Sequence, residues 1–331
     1  MKRVLVTLDK TPNYVFHMAA LAGAGFTNPY ADKYRETLSP EDLDTLVKYK
    51  DRIKFGFGDG DGGDLSGAVL FEPAYLALES SREMSEYFDF LSQALRTGKY
   101  RGFLDRYRYA HPEPPDWNVH VDEEWLAGLA PSHCVIRELG DVFARNFDKY
   151  DRKVYPLEAV RMTGTALKLN ARFKEWDCIS KWEEVTGFTW KYPDYQIALC
   201  SALENGPTAN SIGYRKNSFY FGHDFEWIWR FISHEVGTHI MMEFMIDPAK
   251  RKSPLAEYDG YLVYRAYENL ARFYNCKVLG EDNPYGMAPQ YHHEEFAAIF
   301  ARIAGTHPGI DPEELLVKGL LEYASQHPEA V

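Results

Sequence analysis

Hydrophobic positions along the chain recur at two periods, and the changes of period mark the elements. Residues 2–9 alternate as a short strand does. Ser39-Pro40-Glu41-Asp42 opens a helix, with serine as the cap, proline in the first turn and two acids at the positive end of the dipole. From about 68 to 108 the spacing is helical, with Tyr75, Leu76, Leu78, Tyr87, Phe88, Phe90, Leu91 and Leu95 as core positions. His111-Pro-Glu-Pro-Pro-Asp-Trp117 then stops the helix, because prolines remove backbone donors and stiffen the chain. That run predicts a mostly helical region at 1–115 and a second region at 116–331.

In the second region Asp122 can cap a helix, and the segments near 123–150 and 156–184 are amphipathic, with Trp176 and Trp182 as core candidates. The apolar run Gln196–Leu203 reads as a buried strand. Ser211-Ile-Gly-Tyr-Arg215 and Ser218-Phe-Tyr-Phe-Gly222 flank Lys216-Asn217 and predict a hairpin. A helix follows at 224–244, another at about 256–275, and an amphipathic one at about 311–325 with Asp311 as cap.

The helix at 224–244 carries the chemistry. Asp224 is its expected cap, and Trp227, Phe231, Met242 and Met245 give it apolar bulk on both sides. Inside lies His234-Glu235-Val236-Gly237-Thr238-His239. A buried helix carries two histidines and a glutamate only where they have partners. The zinc-protease pattern H-E-x-x-H sets two histidines about 40° apart on one face. Here the spacing is i to i+5, about 140° apart on an ideal helix, so a shared metal calls for one π-type turn. Gly237 and Thr238, poor helix formers, stand where that turn would fall.

His-Glu-Val-Gly-Thr-His resembles the H-E-x-x-x-H of the microtubule-associated tyrosine carboxypeptidases and their bacterial relatives, zinc metallopeptidases related to the gluzincins. Tyr258-Asp259-Gly260-Tyr261-Leu262 stands where that family has Gln-Glu-Gly-Leu-Ala. The resemblance covers about a sixth of the chain. It implies a zincin-like fold, zinc bound by His234, His239 and Asp259, and Glu235 as general base. The order of strand, hairpin and active-site helix is also what zincin-like peptidases show, where an edge strand holds extended substrate by β-addition.

The residues leave alternatives open. Glu235 and His239 are i,i+4 and could both ligate, with His234 behind them. Glu257 or Glu268 could replace Asp259. An oxyanion needs a donor besides the metal, and Tyr258, Tyr261, Tyr291, His292 and His293 are the candidates, Tyr258 and His292 foremost.

Composition narrows the classes. A net charge of −12 gives no electrostatic footprint for nucleic acid or anionic membrane. No apolar run is long enough for a signal peptide or a bilayer span. Cys134, Cys178, Cys200 and Cys276 form no C-x-x-C pair and read as reduced thiols, and there is no G-x-S-x-G elbow. The Gly- and Asp-rich run 55–67 lacks both the EF-hand pattern and the phosphate-loop ending, so it reads as a surface loop. The expectation is a helix-rich α+β, zincin-like, cytoplasmic zinc metallopeptidase acting on a peptide or protein. The alternatives are a catalytically silent peptide-binding module on the same scaffold, and a metalloenzyme of non-peptide chemistry, since N and O ligands also suit iron.

Overall fold

The computed structural model describes residues 2–56, 62–107, 122–207, 209–242, 258, 260–281 and 294–327. Met245, Glu257, Asp259, Tyr291, His292, His293 and the run 111–117 lie outside them. The elements in order are β1 (Arg3–Thr7), α1 (Lys10–Ala22), α2 (Pro29–Tyr34), α3 (Pro40–Lys48), α4 (Lys50–Ile53), α5 (Glu72–Leu76), α6 (Ser81–Thr97), α7 (Arg101–Tyr107), α8 (Glu123–Leu129), α9 (His133–Lys153), α10 (Tyr155–Glu175), α11 (Cys178–Thr186), β2 (Asp194–Cys200), β3 (Ala209–Gly213), β4 (Lys216–Tyr220), α12 (Phe225–Met241), α13 (Gly260–Leu279), α14 (Glu294–Thr306) and α15 (Pro312–Gln326). This is a helix-rich α+β fold with one small sheet. Among the described residues no helix is long and apolar enough to cross a membrane.

The helix starts read from sequence are in place. Ser39, Asp122, Asp224 and Asp311 each accept a bond from the backbone N–H three residues on, at 3.2, 2.7, 3.0 and 2.9 Å. The stretch 68–108 is not one helix. A π turn at Gly67–Phe71 leads into α5, Ala77 takes a left-handed conformation (φ 52°), and Gly98 ends α6 in the same region. Left-handed backbone cannot continue a right-handed helix, so the run breaks into three.

The sheet order is β1-β2-β4-β3. β2 pairs parallel with β4, from Gln196 opposite Lys216 to Cys200 opposite Tyr220, and β3 pairs antiparallel with β4. The hairpin turn is Tyr214-Arg215. Lys216-Asn217, expected in the turn, instead begins β4, where Asn217 is fully buried. Polar residues at the head of a buried strand look like turn residues when only the sequence is read.

The chain divides into two compact units. One comprises Met1–Val4, Ala171–Tyr195 and Asp224–Val331, and the other Leu5–Asn170 with Gln196–His223. Both sides of position 115 therefore belong to one unit. The reason is visible in α6 and α9, which pack together from either side of the proline-rich run. The Phe88 side chain lies against Gly140, where a β-carbon would come within 2.3 Å of it, and the Ser92 hydroxyl donates to the His133 carbonyl at 3.0 Å. In the same unit α1 is buried from Thr11 to Ala22, as a helix apolar on every face must be.

Candidate functional site

The motif helix α12 belongs to the unit that also holds α11 and α13. Asp224 caps it, and it is α-helical from Phe225 to Met241 without a π turn. The turn that the i,i+5 spacing calls for is therefore absent. Gly237 serves packing instead. A β-carbon there would lie 2.1 Å from the Trp182 indole of α11, so the ring occupies the space that only glycine leaves open.

A buried polar seam fixes α12 against its neighbours. Ser233, fully buried, accepts from the Trp182 ring N–H at 3.1 Å and donates to Asn275 Oδ1 at 2.7 Å. The Asn275 amide donates onward to the Arg230 carbonyl at 3.2 Å. Lower on α13, the Tyr267 hydroxyl donates to the Thr238 carbonyl. Residues rising along α12 meet residues falling along α13, so the two helices run antiparallel through this seam.

His234 sits between those two anchors. Its Nε2 is 3.0 Å from Glu268 Oε2, with the imidazole fully buried and the carboxylate nearly so. Phe231, one turn earlier, stacks on the imidazole with ring centroids 5.6 Å apart and planes 15° from parallel. Glu235, half-buried, follows it in the chain. His239, buried, meets the Tyr195 ring edge-on at 5.0 Å. The structure thus brings His234 and Glu268 together and does not bring His239 to them. Among the described residues no three His, Cys, Asp or Glu side chains group closely enough to hold a metal. Tyr258 is half-buried, just before α13, while Asp259 and His292 lie outside the described residues.

Glu268, one of two alternatives to Asp259 in the sequence, is the described acid set beside His234. Glu268 and Asn275 are seven residues apart, two turns, and so share the face of α13 that meets α12. The i,i+7 spacing of Glu268 and Asn275 is the sequence mark of that shared face. The Cys178 thiol, 3.6 Å from the Ser233 hydroxyl, is pushed up to about 12 by burial and is no nucleophile.

No protein-family model, curated protein or solved structure matches this chain.

Proposed function

We propose that the protein is a zinc-dependent hydrolase of peptides, with His234 and Glu268 as two metal ligands and Glu235 as general base. The observation that carries this reading is the buried imidazole–carboxylate pair at 3.0 Å. Neutral imidazole and carboxylate are the donors zinc takes, and two ligands each about 2.0–2.1 Å from one tetrahedral ion stand about 3.3 Å apart. The spacing fits a pair that can close on a metal with little movement. The fit covers two donors of three. Asp259 and Glu257 are the sequence candidates for the third. His239, about 140° around a regular helix from His234, is left as a packing residue against Tyr195.

Zinc, when bound, supplies Lewis acidity, polarising a carbonyl and making water a nucleophile near neutral pH. The chain's own groups do the rest. Glu235 takes a proton from the attacking water on its carboxylate and returns it to the leaving amine. Phe231, stacked on the His234 ring, fixes its orientation, and the Ser233–Asn275–Trp182 bonds hold the backbone that carries both His234 and Glu235.

A second reading rests on the same 3.0 Å contact, which is a complete hydrogen bond without any metal, and on the regularity of α12. It makes the pair a structural tie in a scaffold that binds peptides without cutting them. Metal content by mass spectrometry separates the two, on protein purified without added metal, beside His234→Ala, Glu268→Ala and Glu235→Gln. Near one zinc in the wild type and in Glu235→Gln, lost in the other two folded variants, supports the hydrolase, as does loss of peptide cleavage in Glu235→Gln. A wild type that takes up no zinc on addition leaves the binding scaffold standing.

A further inference from the structure

Residues Tyr155 to Asn170 of α10 belong to one unit, and they divide by face. Glu158, Met162, Ala166 and Leu169 recur at helical spacing and are buried. The opposite face carries Leu157, Val160 and Leu167, exposed by 59%, 76% and 66%, the highest values for a large apolar side chain among the described residues. One such side chain on a surface is ordinary, but three on one helix face make a patch of the kind that marks a contact site.

Gly164 lies in the same stripe. It is exposed in mid-helix, and a β-carbon added there would meet nothing within 4 Å among the described residues. Glycine is the poorest helix former after proline, so its use inside a helix calls for a close neighbour. Gly140 and Gly237 have theirs in Phe88 and Trp182, whereas the described residues supply none to Gly164. The face is also distinct in charge. The chain carries a net −12, yet the one acid between 155 and 170 is the fully buried Glu158, and the exposed charges are Arg161 and Lys168. Two molecules of the same acidic protein repel least where neither presents a carboxylate.

We propose that this face docks on its counterpart in a second copy of the chain, α10 antiparallel to α10 about a two-fold axis, with Val160 of each copy over Gly164 of the other. A two-fold contact uses one patch on both sides, so the patch must complement itself. This one does, because the bulk of Val160 meets the gap at Gly164. The same register brings Leu157 opposite Leu167, each three residues farther out. It sets Lys168 opposite Pro156 and Arg161 opposite Thr163, and Arg161 is already paired with Glu158 at 2.7 Å. A parallel pairing would set Gly164 against Gly164 and leave the gap unfilled, against the close packing that contacts need.

The test is sedimentation equilibrium of the full chain from low to high micromolar concentration. The expected result is a monomer–dimer equilibrium whose dissociation constant rises tenfold or more in Leu167→Lys, in Leu157→Glu and in Gly164→Leu. All three positions are exposed, so the variants should keep the fold, which circular dichroism checks. Mixing Leu157→Glu with Leu167→Lys should restore the dimer, since the register sets the two new charges opposite each other. A mixture that stays monomeric overturns the antiparallel register. A wild type that is monomeric throughout overturns the proposal and leaves the face to a different protein, as does a dimer that none of the three substitutions weakens, whose interface then lies elsewhere.

Discussion

The Trp182 indole lies where a side chain on Gly237 would be, 2.1 Å from an added β-carbon. The glycine inside His-Glu-Val-Gly-Thr-His is thus a requirement of the α11–α12 contact. Gly237→Ala gains about 1 kcal/mol of helix propensity. It also forces a fully buried indole or the helix backbone to move, at a cost of about 1–3 kcal/mol or more. The clash is deep enough for the second effect to win. We expect a lowered thermal midpoint, and a loss of the Trp182–Ser233 bond visible as a shifted indole N–H resonance.

His234 and Glu268 should act as a unit, and His239 apart from them. Zinc stoichiometry is expected to fall in His234→Ala and in Glu268→Ala while His239→Ala keeps its metal. Zinc lost in His239→Ala and retained in Glu268→Ala would restore the ligand set that the family resemblance implies and would require α12 to rearrange.

His17 gives the fold a pH dependence of known sign. Burial lowers its pKa from 6.5 to about 3, and its Nδ1 lies 2.9 Å from the Tyr30 hydroxyl. The folded state keeps this imidazole neutral while the unfolded chain takes up a proton below about 6.5. Stability is therefore complete above that pH and falls as pH drops from about 6.5 toward 3, by roughly 4 kcal/mol at the lower limit. Urea denaturation between pH 7 and 5 should show the slope, and His17→Gln should flatten it.

Glu158 on α10 is fully buried and takes bonds from Lys33 at 2.8 Å, Arg161 at 2.7 Å and the Tyr34 hydroxyl. Burial raises its pKa, but the Lys33 and Tyr34 bonds and the Arg161 charge outweigh that and leave it lowered. Glu158→Ala strands three donors. Lys33 and Arg161 are each half-exposed and can turn to water, so we expect a loss of about 2 kcal/mol, below that of a wholly buried pair. Chemical denaturation at pH 7 measures it.

What could be read from the sequence was local. Asp122, Asp224 and Asp311 declare helix starts because a cap is decided within four residues. The apolar run at Gln196–Leu203 declares β2 because burial on both faces leaves no alternation. The rest depends on what arrives from elsewhere. The fit of Gly237 needs Trp182 beside it. Which acid faces His234 is decided by the packing of α13 on α12. Nothing local to the proline-rich run says that Phe88 packs on Gly140.

The unit that carries His234 is assembled from three separate stretches, and its smallest piece is held by a bond from the Arg3 N–H to the Pro193 carbonyl at 3.2 Å. No single cut of the chain can release this unit whole, since its parts lie on both sides of every residue from 5 to 170. A gene fusion or recombination event that carried off residues 224–331 alone would transplant the motif and Glu268 but leave behind Trp182, the wall against which Gly237 is fitted. The motif is in this sense not portable: it can be inherited only together with a segment that precedes it by more than forty residues.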